Sequence, residues 1–297
     1  MEAIKRIHHI TAIVGDPNEN IKFYREVLGL RLVKQTVNFD DPDVYHLYFG
    51  DHKETPGTII TFFPWTNDNY GRKGSGQVGR IAFRVPKDSL GYWHDHLTSQ
   101  NINVDKTQLF NKETLEFDDP HGLELAIVEG ERTAEQPDIL SFHGAVLLSN
   151  DPEGTETLLT DIMQMKKVTS TNRHLHYETT GEEKHHIITS LPKEPLGRFG
   201  IGTVHHIAWS VPDKETLKKW QSRLMDKGFG VTEVKDRNYF ESIYTYERGR
   251  VVFEFATDEP GFAVDEDKES LGRALKLPPQ YEHRRQEYKT RLSELDI

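Results

Sequence analysis

Four short stretches of the chain share one alternating signature. In TVHHIAWSVPD, Thr203 to Asp213, two adjacent histidines open an apolar alternation of period two, and a Pro-Asp step closes it. That pattern predicts a half-buried strand running directly into a helix start. The same shape recurs as IHHITAIVGDP from Ile7 to Pro17, as FHGAVLLSNDP from Phe142 to Pro152, and more weakly as GRIAFRVPKD from Gly79 to Asp88. Stripes at helical spacing follow: Ile21, Tyr24 and Leu28, then Leu90, Trp93 and Leu97, then Leu217, Trp220 and Leu224. Asp16 can cap the first helix, Pro17 suits its first position, and Gly29 and Gly228 are natural stops.

Three strand-like runs complete every repeat. They are Leu30–Val37, Tyr45–Phe49 and Thr58–Phe63, then Ile102–Gln108, Thr114–Phe117 and Leu123–Val128. In the second half they are Lys166–Ser170, Leu175–Thr179 and His185–Leu191, then Gly230–Lys235, Ser242–Glu247 and Val251–Ala256. The chain is therefore predicted to be α+β, with four βαβββ modules in two tandem domains, 1–134 and 139–262. The polar, proline-bearing GERTAEQPD (Gly130 to Asp138) marks their boundary. TNDNYGRKGSGQVG (Thr66 to Gly79) reads as a flexible connector, because its glycine spacing fits neither nucleotide-binding motif. EPLGRFGIG, from Glu194 to Gly202, links the third module to the fourth. Residues 263–297 stand outside the repeats. Their charged end, from Gln280, reads as a helical, solvated packing arm.

Composition narrows the chemistry. No apolar run approaches the roughly 18 residues of a membrane helix, and MEAIKRIHHI lacks the apolar core of a secretory signal, so the cytoplasm is expected. A net charge of −11 argues against a nucleic-acid surface. The chain has no cysteine, so any metal must be held by His, Asp or Glu.

Each module should place one sheet face on its helix and turn the other into a cup. Strand neighbours point to opposite faces, so only one histidine of each pair can enter. The bulky sets His8/Ile10/Ala12/Val14 and His205/Ile207/Trp209/Val211 suit the helix side, which sends His9 and His206 into the cup. Anchor positions align as His9, Arg80, His143 and His206, and last-strand positions as Thr61, Glu124, Thr189 and Glu254. Modules one and four together supply two histidines and a glutamate. Modules three and four supply the same set with His143 in place of His9. Two imidazoles and one carboxylate on one wall form the facial triad favoured by non-haem Fe(II). A metal site for glyoxalase-type proton transfer wants a second carboxylate where Thr61 or Thr189 stands. For any one histidine, a hydrogen-bonded core role is the competing reading. For Glu254 that reading is weaker, since an unpaired buried carboxylate costs several kcal/mol.

These modules resemble the vicinal oxygen chelate superfamily, and within it the ring-cleaving dioxygenases that open hydroquinones. The stretches that carry the resemblance include IHHITAIVGD, FYREVLGLRLVKQTVNFDD, YHLYFGD, PGTIITFFPW, VHHIAWSVPD, DRNYFESIY, VVFEFATDEPGF and LPPQY. The resemblance implies metal ligation by His9, His206 and Glu254 and leaves His143 a structural relic. It implies supporting or substrate roles for His8, Thr11, His205, Arg237 and Tyr244, although the strand phasing turns His8 and His205 away from the cup. It further implies Fe(II), with Mn(II) as the second candidate, a hydroquinone- or catechol-type substrate, O2, and a homodimer. A glyoxalase-like isomerase or lyase, and a non-catalytic protein that binds aromatic ligands, are the alternative functions on the same fold.

Overall fold

The computed structural model describes residues 2–66 and 69–297. In the first module β1 (Ile7–Val14) leads through α1 (Pro17–Lys22) to β2 (Arg31–Val37), β3 (Tyr45–Gly50) and β4 (Ile59–Pro64). The second contains β5 (Gln77–Val85), α2 (Leu90–Ser99), β6 (Asp105–Leu109), β7 (Lys112–Asp118) and β8 (Glu124–Glu129). The third contains β9 (Ser141–Leu148), α3 (Pro152–Thr157), β10 (Lys166–Ser170), β11 (His174–Glu178) and β12 (His186–Ser190). The fourth contains β13 (Thr203–Val211), α4 (Lys214–Asp226), β14 (Lys235–Asp236), β15 (Phe240–Tyr246) and β16 (Val252–Pro260). Asp16, Asp151 and Asp213 cap their helices through side-chain oxygens that accept backbone N–H groups. The expected strand Gly230–Lys235 shrinks to Lys235–Asp236 plus a single bridge from Val231 to Thr245. Here Phe229 buries its ring and the Thr232 carbonyl is taken by Gln221 of α4, while the Thr232 N–H still donates to the Tyr244 carbonyl of β15, so the ladder is interrupted rather than lost.

Two eight-stranded sheets result, in the orders β14-β15-β16-β13-β1-β4-β3-β2 and β10-β11-β12-β9-β5-β8-β7-β6. The first joins modules one and four, the second modules two and three. In both, the first strands of two modules run antiparallel at the centre, and each pairs in parallel with its own module's last strand. The largest core cluster packs helix stripes, such as Trp220 and Leu224, on the outer sheet faces. Each cup also has an inner cluster of its own. One contains Val33, Tyr48, Ile59, Ala208 and Phe240, the other Ala82, Phe110, Ala126, Val128 and Ile188.

Two segments differ from expectation. The described part of the connector after β4 is paired rather than flexible: Tyr70, Arg72 and Ser75 bridge to Ile201, Arg198 and Leu196 of the other linker. Its Asn67 and Asp68 lie outside the described residues. Gly71 and Gly74 permit this close approach, because a Cβ at Gly74 would meet the Pro195 carbonyl oxygen at 2.2 Å. The C-terminal arm is seated rather than solvated. Phe262, Leu271, Leu277, Tyr288 and Leu292 are all buried, and Gln35 bridges to Leu275 along the edge of the first sheet.

Candidate metal centre

The central strands are bulged, and the bulges decide which side chains enter the first cup. Ile7 pairs with Trp209 and His9 with Ala208, so His8 is an extra residue on β1. Thr11 pairs with His206 and Ala12 with Val204, so His205 is an extra residue on β13. A bulge re-aims the side chains beside it. The strict alternation that turned His8 and His205 away is therefore broken at those residues. His8 lies against His9, and His205 borders the same cavity as His206.

The second cup has bulges at the matching places, Gly79 on β5 and His143 on β9. His143 is thus the counterpart of His8 and His205, and the counterpart of His9 and His206 is Gly144. Register also corrects the last-strand positions. Glu254 pairs with Ala208, two residues beyond His206, and Thr61 pairs with Thr11, two beyond His9. The same step in the second cup reaches Ala126 and Ile188, not Glu124 and Thr189. Glu124 instead binds Arg80 at 3.1 Å. One cup carries a full donor set and the other carries Arg80, Gly144, Ala126 and Ile188.

In the first cup, ligand atoms of His9, His206 and Glu254 lie within 4.8 Å of one another. Glu254 Oε2 is 2.8 Å from His206 Nε2 and 3.1 Å from His9 Nε2, and the two Nε2 atoms are 3.3 Å apart. Glu254 is fully buried. Burial alone would raise its carboxyl, but His9 and His206 hold it well below the usual range. Burial lowers His206 against the pull of Glu254. An ionised carboxylate with no exposed surface of its own thus faces imidazole nitrogens. Nothing there but a proton or a cation can balance its charge, and a divalent cation is the partner that suits all three electron-pair donors.

Hydrogen bonds behind the triad set the imidazole tautomers. His8 Nε2 is 3.1 Å from the Thr257 carbonyl oxygen, which can only accept, so this nitrogen carries the proton. His8 Nδ1 is 2.8 Å from His9 Nδ1. Burial pushes both His8 and His205 down to about 3, so both rings are neutral. His8 Nδ1 then accepts from His9 Nδ1–H, and His9 Nε2 is left bare, facing Glu254. His205 Nδ1 and His206 Nδ1 make the same 2.8 Å contact.

On the open side lies a cavity of about 180 Å³, lined by His46, Tyr48, Phe63, Trp65, Phe240 and Tyr244 beside the histidines. Tyr244 reaches it because it pairs with Glu254 across β15 and β16. Its ring meets His206 edge-on at 5.7 Å, and burial pushes its phenol well up. The Arg237 guanidinium sits 5.4 Å over that ring and donates to Asp40 at 2.8 Å. Thr11 stands behind the cavity wall, its hydroxyl 2.7 Å from Thr61. Thr61 is in turn 2.8 Å from His46 Nε2, and His46 Nδ1 is 2.8 Å from the Tyr48 hydroxyl. Sequence reasoning missed His46 and Tyr48. Their signal was present in YHLYFGD, where these two share one face of an alternation whose other face is Tyr45, Leu47 and Phe49.

The chain belongs to the Glyoxalase/Bleomycin resistance protein/Dioxygenase superfamily, whose model matches residues 6–127 and 141–265. Within it, the chain is 49% identical over 291 residues to "Putative ring-cleaving dioxygenase MhqO" of Bacillus subtilis strain 168, covering 94% of this chain and 93% of that one. It is 30% identical over 303 residues to the chlorohydroquinone/hydroquinone 1,2-dioxygenase of Sphingobium indicum, covering 95% and 94%. A crystal structure of a "putative dioxygenase" from Bacillus subtilis superposes with a TM-score of 0.96 at 46% identity, covering 100% of this chain and 99% of that one.

Proposed function

We propose that the protein is a metal-dependent dioxygenase that opens hydroquinone- or catechol-type rings with O2. His9, His206 and Glu254 hold the metal, Fe(II) first and Mn(II) second. The observation that carries this reading is a fully buried carboxylate flanked by two oriented imidazoles at the floor of an aromatic-walled cavity. The names of the relatives support it.

A bound Fe(II) supplies Lewis acidity, one-electron chemistry and open coordination positions on the cavity side. The remaining work falls to the chain. A cavity of roughly 150 Å³ accepts benzene, so about 180 Å³ suits a single ring with small substituents. Phe63, Trp65 and Phe240 hold the ring by its faces and keep water out. Arg237 places positive charge beside Tyr244, where it favours an anionic ring oxygen. Tyr244 stays a neutral phenol and can donate to oxygen. Both O2 atoms end in the product, a hydroxymuconic semialdehyde. The position at which a glyoxalase-type site wants a second carboxylate is Thr61, already bonded to Thr11 and His46, which disfavours isomerase chemistry.

Oxygen uptake by protein reconstituted anaerobically with Fe(II) tests the reading, with 2-methylhydroquinone added first and catechol second. Uptake matched to substrate loss, with a new ring-opened absorbance, is expected. No uptake from a metal-loaded protein would overturn it in favour of isomerase or lyase chemistry. His206→Ala should lose iron and turnover together; an active, iron-loaded variant would remove His206 from the ligand set.

A further inference from the structure

The two bulges do something that a regular strand cannot. A bulge leaves one residue outside the ladder, and on both central strands of the first cup that residue is the histidine preceding a proposed ligand. The second cup keeps its bulges at Gly79 and His143, but Arg80 and Gly144 follow them and no imidazole needs orienting there. Among the described residues, bulge and histidine pair therefore coincide only at the triad.

Resting on the metal reading above, we propose that His8 and His205 are positioning residues, each accepting the Nδ1–H of the next histidine so that its Nε2 lone pair stays on the metal. Both contacts are 2.8 Å. The Thr257 carbonyl decides where the proton of the first contact sits, and the second contact, at the same bulge position and the same distance, is assigned by that correspondence. His8 Nε2 must donate to that oxygen, so His8 Nδ1 must accept. Moving that proton to His8 Nδ1 would turn the fully buried His8 ring into an imidazolium and leave His9 an imidazolate. Metal-bound imidazoles usually donate their other N–H to a carboxylate or carbonyl. Here a neutral imidazole takes that place, so the triad gains no extra negative charge and its only anion is Glu254.

The two pairs are braced differently. His8 is pinned at both nitrogens, by His9 and by Thr257. His205 is held by stacking on Phe199 at 5.3 Å and by Phe63 edge-on at 5.7 Å. Its Nε2 makes no hydrogen bond among the described residues, and the ring borders the cavity. His8 is thus the more rigid of the two braces.

The test measures Co(II) affinity of the full chain by competition with a chelating dye, without turnover. His8→Leu removes the acceptor and is expected to weaken Co(II) binding about 10–100-fold. His8→Asn keeps an acceptor oxygen near the place of Nδ1 and is expected to restore most of that loss. His205→Leu and His205→Asn repeat the comparison at a half-buried position, so the proposal can still be decided if His8→Leu does not fold. In the Co(II) protein, two exchangeable, hyperfine-shifted imidazole N–H resonances are expected, and each Leu variant should lose one to fast exchange. Unchanged affinity in both Leu variants, or no recovery in the Asn variants, would overturn the positioning role while leaving the triad intact. No Co(II) binding by the unsubstituted protein would overturn the triad itself and the positioning role with it.

Discussion

Thr61, His46 and Tyr48 form a polar chain that begins at Thr11 and ends on the cavity wall, and none of them belongs to the triad. Burial holds the His46 imidazole well below its ordinary value, so the ring works as a neutral donor and acceptor. Each nitrogen has a hydroxyl partner, and one must donate while the other accepts. Reversing both bonds moves a proton along the chain without creating a buried charge, which suits a group that passes a proton to or from a ring hydroxyl. His46→Phe keeps much of the ring volume and removes both bonds. It is expected to lower kcat by about 100-fold or more, the range of a lost proton-transfer partner, with metal content unchanged. Parallel oxygen-uptake and metal analyses would check this, and full activity would leave His46 a packing residue.

At the level of the strand, position relative to the helix cap proves a better guide than alternation. His9, Gly144 and His206 each sit seven residues before the capping Asp16, Asp151 or Asp213. Counting back from the cap would have matched Gly144, not His143, to the two ligands. Alternation misled because a bulge inserts one residue, and histidine or glycine at that residue fits either face. The choice of His9 over His143 came from the resemblance alone, whereas most strands, the helices and the repeats were legible, since burial on one face imposes a strong period. The bulges were not, because they are a property of pairing between strands distant in sequence. Module pairing lay equally beyond local pattern, for the same reason. Gly144 also shows why the second cup holds no imidazole there, since a Cβ would lie 1.8 Å from the His186 carbonyl oxygen. Gly144→Ala must push β9 from β12 and is expected to cost about 1–3 kcal/mol or more, read from urea unfolding. Wild-type stability would mean the two strands separate more easily than their parallel ladder implies.

Across the whole molecule, the first cup differs from the second in having the C-terminal arm packed against residues of its inner face. Lys34 on β2 shares the inner face with Tyr48, its partner on β3, and its side chain is completely buried. Its ammonium donates to Asp265 at 2.6 Å and to Glu266, and lies 4.8 Å from the centre of the Tyr239 ring. Tyr239 also donates to Asp265, and Phe262 packs between the rings of Tyr239 and Tyr48. Further along, Tyr281 donates to the Phe39 carbonyl beside the cavity mouth. The arm thus packs on inner-face side chains, one of which, Tyr48, lines the cavity. Lys34→Met keeps the length of the side chain but leaves two carboxylates beside an apolar stem. Breaking a buried pair costs about 3–5 kcal/mol. Asp265 is partly exposed and can turn to water, but the Glu266 side chain is buried, which keeps the expected loss within that range. Because Phe262 packs on Tyr48, which lines the cavity, the variant should also raise KM for the ring substrate while metal content stays at the wild-type level. Urea unfolding and steady-state kinetics would read the two effects separately. A destabilised variant with unchanged KM would limit the arm to support of the sheet, and a variant unchanged in both would remove the latch altogether.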